Sequence, residues 1–199
     1  MPPLSIADIA AALHGLSRLV RLDREGFDYF DASPTGLLKS FWVAVVLLPL
    51  YLLHLALDVL VLDIGAQVAV PRYVAVELIA YVIDWVAFPL LMLTLAPAIG
   101  IAPTVFRFLV PLNWMQLPIG LIILPLGVIV RLDAVPMDLA GFVGLMVVAA
   151  SLVITALLAR HALEVPWWSA AGVTILSFTI SLFVNGIAFS LSGFQVPVA

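Results

Sequence analysis

The chain has 199 residues, of which 65% are hydrophobic and only 10% are charged. Its long apolar runs take up more than half of the length and leave no room for a separate soluble catalytic domain. The chain has no cysteine, which excludes disulfides, thiolate nucleophiles and cysteine metal sites. The formal net charge of -4 comes without any block of Lys or Arg, so nucleic acid is not an expected partner.

The first predicted element is an amphipathic helix over residues 6 to 22. Ser5 and Asp8 have the spacing of a capping box. Apolar side chains then recur at helical spacing, at Ile6, Ile9, Leu13, Leu16 and Val20. We expect this helix to lie along the membrane face or against its own domain rather than to recruit a partner. With the connecting loop that follows, residues 1–36 form a predicted N-terminal cytoplasmic segment.

Five apolar runs approach the ~20 residues that a hydrocarbon core requires. They cover residues 38–62, 73–95, 113–130, 139–159 and 168–191. The predicted fold class is therefore all-α, a polytopic bundle of transmembrane helices over residues 37–199. Pro111 just before the third run, and Pro118 and Pro125 within it, predict a broken or kinked helix with a short interfacial segment over residues 105–110 before it. Four spans are the alternative.

The basic residues predict the orientation of the bundle. Six of the eight Lys and Arg residues fall on the same side of the predicted membrane as the N-terminus, and only Arg72 and Arg131 fall on the other side. The positive-inside rule then predicts a cytoplasmic N-terminus and an external C-terminus, in a bacterial inner membrane. The tryptophans at the predicted inner span ends, where an aromatic belt is expected, are Trp42, Trp114, Trp167 and Trp168.

Polar residues inside the spans are the candidate functional residues, because a charge at the bilayer centre costs about 2.5 to 3.5 kcal/mol. The candidates in the first two spans are His54, Asp58, Glu77, Tyr81 and Asp84. The first two share one face of span one, and the other three share one face of span two. Antiparallel packing of the spans predicts a network between them. Such a network could serve as a proton relay or a cation site. Alternatively, it is a hydrogen-bonded core in which Asp84 is protonated, and we favour this structural interpretation.

Small and hydroxyl-bearing residues recur on one face of each of the last two spans. They are Gly141, Gly144, Ser151 and Thr155 in span four and Thr174, Ser177, Ser181 and Asn185 in span five. Small residues let helices approach closely and hydroxyls bond between helices, so we predict packing seams rather than solute-lining surfaces. Nucleophile, phosphate-loop and metalloprotease motifs are missing, so no catalytic residue, metal or cofactor is predicted.

Two segments carry a resemblance to a known family. GFDYFDASPTG leads into the first span, and the third span has the proline-rich sequence FRFLVPLNWMQLPIGLIILPL. With five spans behind a cytoplasmic segment, residues 25–191 resemble the Yip1-like membrane proteins. The DLYGP-type signature of the eukaryotic members is absent, so no residue role is carried over.

The resemblance implies a non-enzymatic scaffold in membrane organisation or trafficking. Its expected partners are the lipid bilayer and other membrane proteins, or a second copy of the chain. The alternative is a small secondary transporter, or a proton or cation pathway, built on the His/carboxylate residues. Many transporters show internal repeats with broken helices in matching positions. The third span is the one that the sequence predicts to be interrupted, and it has no counterpart among the other spans, which favours the scaffold.

Overall fold

The computed structural model describes residues 1–194, in which the regular elements are all helical. The elements are α1 (Ile6–Val20), a 3-10 helix (Arg24–Tyr29), α2 (Pro34–Ser40), α3 (Trp42–Val61), α4 (Ile64–Gln67), α5 (Val70–Leu95), α6 (Val105–Arg131), α7 (Met137–Ala162) and α8 (Trp167–Ser192). Five spans in this part of the chain, the first made of α2 and α3 together, are long and apolar enough to cross a membrane. The protein is an all-α, multi-pass membrane protein.

The third span is one continuous helix. α6 runs from Val105 to Arg131 with all three prolines inside it. Of the predicted broken or kinked helix, the break is therefore wrong, and so is the interfacial segment, since residues 105–110 form the first turns of α6 and most of them are buried. Each proline removes one backbone donor, but neighbouring helices pack against α6 on both sides of these positions and hold it in the helical conformation.

The capping box predicted at the start of α1 is confirmed. The Asp8 N–H donates to Ser5 Oγ at 3.1 Å, and the Ser5 N–H donates to the Asp8 carboxylate at 2.9 Å. The Lys39 ammonium also donates to both Asp8 oxygens at 3.0 Å. The Ser5 hydroxyl and N–H, together with Lys39, lower the pKa of Asp8 to about 2. This contact ties α1 to the beginning of the first span.

α1 uses a different face for packing from the one its apolar stripe predicts. Ala12, Gly15 and Leu16 are buried against the 3-10 helix and α6, and of the predicted stripe only Leu16 is among them. The rest of that stripe, Ile6, Ile9, Leu13 and Val20, is exposed. The small residues face inward because Gly15 and Gly26 approach too closely for a side chain between them. An apolar stripe therefore stays on the outside of α1.

The main core lies on the α1 side of the bundle and includes the N-terminal segment. Leu16 and Phe30 share this core with Leu37, Phe108 and Trp114. Residues 1–36 therefore pack as part of the bundle rather than beside it. Trp114 is buried here and does not belong to an interfacial belt.

The tryptophans at the start of α8 do have the exposure expected of an interfacial belt. Trp167 is 55% exposed and Trp168 is 78% exposed. Both lie in the first turn of the last span. Indole rings at such a position suit the boundary between lipid and water.

The five spans follow one another around the bundle in the order α3, α6, α7, α8 and α5. Each of these neighbours packs extensively on the next, whereas α5 and α3, which complete the circle, touch at few points. Two closely packed helix pairs, α3–α6 and α5–α8, thus face each other. This arrangement leaves room for a cleft between the pairs.

Candidate functional site

The helices α3 and α6 run parallel and keep a constant register. On the α1 side, Asn113 Nδ2 donates at 2.9 Å to the Oγ of Ser40, the last residue of α2, which precedes α3 in the first span. Near the other end of the two helices, Arg131 Nε donates to Asp58 Oδ1. Both pairs are 73 residues apart in sequence. The same faces of the two helices therefore stay in contact over about five turns.

Glycines on α6 make this close contact possible. A Cβ atom on Gly120 would lie 2.5 Å from Leu47, and one on Gly127 would lie 2.5 Å from the His54 ring. Each glycine is separated from its partner by 73 positions, like the Ser40–Asn113 and Asp58–Arg131 pairs. Large side chains of α3 thus lie directly on the α6 backbone, as in other close transmembrane contacts built on small residues.

Asp58 is the centre of a polar cluster at the end of these helices away from α1. Its carboxylate is 4% exposed and pairs with the Arg131 guanidinium. The Tyr73 hydroxyl donates to its second oxygen at 3.3 Å, and His54 Nε2 lies 3.8 Å from that oxygen. The guanidinium balances the charge of the buried carboxylate, and the hydroxyl adds a hydrogen bond. His54 and Asp58 lie close together, as their spacing of four residues predicts.

Sequence reasoning missed Arg131 because it placed this residue in a loop outside the third span. In the structure Arg131 is the last residue of α6, and its Nη1 also donates to the Gly127 carbonyl at 3.1 Å. Tyr73 was not predicted as a partner of Asp58, because in the sequence it is only the first residue of the apolar second span. The sequence does contain one signal for the contact between the first span and α6: in each of the four pairs described above, the contacting residues are 73 positions apart. This regularity can be recognised only once the two helices are known to be neighbours.

Glu77 and Tyr81 are separate from His54 and both contact α3 through tyrosine. The Tyr51 hydroxyl donates to the Glu77 carboxyl at 3.1 Å. Tyr51 and Tyr81 stack with ring centroids 4.5 Å apart, and the Tyr81 hydroxyl donates to the Ala44 carbonyl at 2.7 Å. The sparse contact between α3 and α5 is thus formed largely by tyrosine hydroxyl groups. The predicted five residues do not form one network.

Asp84 faces a cleft between the two helix pairs. The cleft has a volume of about 420 Å³ and is lined by α3, α5, α6 and α8. The Ser181 hydroxyl of α8 lies beside the Asp84 carboxyl. No Lys, Arg or His lines the cleft, and Asp84 forms no ion pair within residues 1–194. The other polar lining residues are Tyr51, Tyr81, Asn113, Gln116, Ser177 and Asn185.

Aromatic rings form one wall of this cleft. Tyr81 stacks on Tyr51 and meets Trp85 edge to face, with centroids 6.2 Å apart. Phe88 follows one turn further along α5 and also lines the cleft. Aromatic faces beside a carboxylate are the groups that attract a cation poorly hydrated enough to enter an apolar site.

The small-residue stripes of the last two spans have different surroundings. A Cβ atom on Gly141 or Gly144 would meet no atom within 4 Å, so the prediction of a packing seam is wrong for this half of the α7 stripe. Ser151 donates only to its own helix, at 2.8 Å to the Val148 carbonyl, and Thr155 is half-buried. Lipid matches apolar side chains as well as a neighbouring helix does, so small residues alone do not show which face packs.

The α8 stripe lies on the inside of the bundle. Thr174 is buried and donates to the Ala170 carbonyl at 2.9 Å. Ser177, Ser181 and Asn185 line the cleft instead of forming a tight helix contact. This face therefore borders the cleft over most of its length and does not form the tight packing seam predicted for it.

Comparison with known proteins identifies no relative of this chain, since no protein-family model, curated protein or solved structure matches it. The Yip1-like resemblance therefore stays a prediction. In the described part of the chain, no group of three or more His, Asp or Glu side chains is placed to hold a metal ion.

Proposed function

We propose that this protein binds an organic cation within the membrane and passes it across, with Asp84 as the anionic ligand. The observation that carries the proposal is that Asp84 faces an aromatic-walled cleft with no basic residue in it. The other two acids among the candidate residues differ, because Asp58 has Arg131 and Glu77 has the Tyr51 hydroxyl. Asp84 alone among these three faces a space that a cationic ligand could fill.

The chemistry of the cleft favours an organic cation over a small hydrated ion. Its volume of about 420 Å³ falls within the ~300–1,000 Å³ of sites for small molecules. The face of an aromatic ring stabilises a positive charge placed over it by about 0.5–2 kcal/mol. A compact metal ion would need several oxygen ligands in a defined shell, whereas this cleft supplies one carboxylate. The proposed ligands are therefore aromatic or quaternary ammonium and phosphonium cations.

Release of the cation is explained by protonation of the same carboxyl. A protonated Asp84 has no charge to balance a bound cation, so a proton and the cation compete for one group. The helix pairs α3–α6 and α5–α8 are joined across the cleft by few contacts, chiefly the hydroxyl bonds of Tyr51 and Tyr81. Rocking of the two pairs about α7, which packs on both α6 and α8, opens the cleft without breaking the α3–α6 or the α5–α8 contact.

Binding of tetraphenylphosphonium to the purified protein in detergent tests this proposal. Wild-type protein should bind it with saturation, more weakly at acidic pH, and Asp84→Asn should abolish binding while eluting as folded protein. Glu77→Gln is the matched control, because Glu77 is a second acid of α5 that does not line the cleft. The proposal is wrong if wild-type protein does not bind the cation or if Asp84→Asn binds it equally well.

Transport is tested separately from binding in proteoliposomes. A pH gradient, acidic inside, should drive uptake of the same cation in wild-type vesicles, and Asp84→Asn vesicles should match empty ones. Saturable binding in detergent without any uptake would restrict the function to binding.

A scaffold for other membrane components is the second candidate function. It is favoured by the open face of α7 around Gly141 and Gly144, where a partner helix could approach closely. Crosslinking from a photoreactive residue at position 145 in native membranes should then give a discrete protein product. Recovery of lipid adducts alone would contradict the scaffold.

A further inference from the structure

An apolar groove runs along α7 on the α1 side of the bundle, away from the Asp84 cleft. It has a volume of about 570 Å³ and lies between α7 and the segment formed by the end of α1 and the 3-10 helix. Its α7 wall includes Met146, Ala150, Val153, Leu157 and His161, which share one helix face. These positions cover about 22 Å of helix. The groove is thus longer than the ~15 Å depth of one leaflet's hydrocarbon.

Basic side chains gather at the end of this groove nearest the membrane surface. Arg24 and His161 line the groove, and both Arg24 and Arg160 lie within electrostatic reach of the His161 ring. Neither arginine forms an ion pair anywhere in residues 1–194. An apolar channel that ends in unpaired cations matches a molecule with an acyl chain and an anionic head.

The acids close to this site are already engaged by other cations. Asp23, which also lines the groove, pairs with Arg18 at 2.6 Å, and this contact lowers the pKa of Asp23. Glu164 pairs with Arg107 at 3.1 Å. The positive charge at the groove end is therefore not cancelled by these two carboxylates, and it is available to a phosphate group.

We infer that this groove binds an anionic phospholipid from the leaflet on the α1 side. An acyl chain lies along the α7 wall between Met146 and Leu157, and the phosphate lies against Arg24, Arg160 and His161. Basic pockets beside transmembrane helices bind anionic head groups in this manner. The lipid joins the N-terminal segment to the fourth span, and this role is independent of the Asp84 cleft.

The test is thermal unfolding of the full chain in detergent with added lipid. Dioleoyl phosphatidylglycerol should raise the Tm by several degrees, because a ligand that binds only the folded state stabilises it. Dioleoyl phosphatidylcholine and inorganic phosphate should each give a much smaller shift, since one lacks net charge and the other lacks the acyl chain.

Three variants separate the groove from general attraction to anionic lipid. Arg24→Gln with Arg160→Gln should remove the shift, and so should Ala150→Phe, which fills the groove but keeps every charge. Arg21→Gln is the control, because Arg21 does not line the groove. An equal shift with phosphatidylcholine or phosphate would overturn the inference, as would an unchanged shift in either of the first two variants.

Discussion

Individual acidic residues inside the bundle differ in what neutralises them. The Asp58 carboxylate is paired with Arg131 and is almost fully buried. Glu77 accepts a hydrogen bond from Tyr51. Asp84 faces the cleft, with only a hydroxyl beside it. The first two acids therefore have structural partners within the chain, and only the third has the position expected of a ligand-binding group.

Removal of one charged partner from the Asp58–Arg131 pair should destabilise the protein. Arg131→Gln leaves a buried carboxylate without its cation, and this change should destabilise the protein by about 3 kcal/mol. Asp58→Asn in addition should restore much of that loss, because no buried charge then stays unpaired. Thermal unfolding of the single and double variants in detergent measures this coupling. Purely additive effects of the two substitutions would contradict the structural role.

The Asp8–Lys39 contact predicts that docking of α1 depends on pH. The pKa of Asp8 is lowered from its ordinary 3.8 to about 2 in the folded protein. Its contribution to stability is therefore complete above about pH 4 and is lost as the pH falls through about 2. A spin label on Ile6→Cys, a position that is 87% exposed, should become more mobile over this range.

Asp23 has a lowered pKa as well and titrates in the same direction. Asp8→Asn separates the two groups, because in that variant the label should be mobile already at pH 6. Asp28→Asn, a change at an exposed acid of the same segment, should leave the label immobile. Equal mobility in all three proteins at pH 6 would show that Lys39 does not hold α1.

Pairs of helices are distinguished by how closely their backbones approach. α3 and α6 are in contact through Gly120 and Gly127, whereas the glycine face of α7 has no helix against it. The first contact aligns Ser40 with Asn113 at one end of the pair and positions Arg131 at the other. A rigid α3–α6 pair thereby supplies one wall of the cleft.

Substitution of single glycines by leucine tests this distinction between helices. Gly127→Leu forces a side chain into the His54 ring and should lower stability by about 1–3 kcal/mol. Gly144→Leu meets open space, so its Tm in detergent should stay close to that of the wild type. The sequence alone predicts a loss of stability for Gly144→Leu. A large loss there would mean that a partner or a second copy covers α7.

The whole molecule has its well-packed core at one end. The N-terminal segment, α2 and the first turns of α6 form that core, whereas a smaller cluster around Leu55, Ile64, Tyr73 and Phe194 lies at the opposite end. Between these clusters, the two helix pairs enclose the cleft. A molecule anchored at one end and loosely joined in the middle suits a change in the accessibility of that cleft.

The orientation of the molecule is a prediction from its basic residues. The chain has no cysteine, so single cysteines can be labelled cleanly. Asp28→Cys should react from the cytoplasmic side and Ala134→Cys from the opposite side. Three spans, those of α3, α5 and α6, lie between the two positions, and an odd number of crossings places them on different sides of the membrane. Labelling of both positions from the same side would contradict three crossings between them, and labelling with the two sides exchanged would contradict an N-terminus inside. The predicted external C-terminus at Ala199 lies outside the described residues.

The sequence by itself indicated five spans, with four as the alternative, because the need for about 20 apolar residues is a property of each run alone. It began the third span at residue 113, whereas α6 begins at Val105. It also determined local helix starts. Ser5 with Asp8 forms the capping box of α1, and Ser33 caps α2 with Pro34 at the first helical position. These features depend on residues within one turn of each other, so no knowledge of neighbouring helices is needed.

Only the tertiary structure decided which faces of the helices meet. It paired Asp58 with Arg131, turned Asp84 toward the cleft and left Gly144 uncovered. In a soluble protein, an apolar stripe shows the buried face of a helix. In a membrane, lipid is as apolar as a neighbouring helix, so hydrophobic periodicity does not separate the packed face from the lipid-facing one. The partners of the polar residues therefore follow from the arrangement of the helices and not from their sequences.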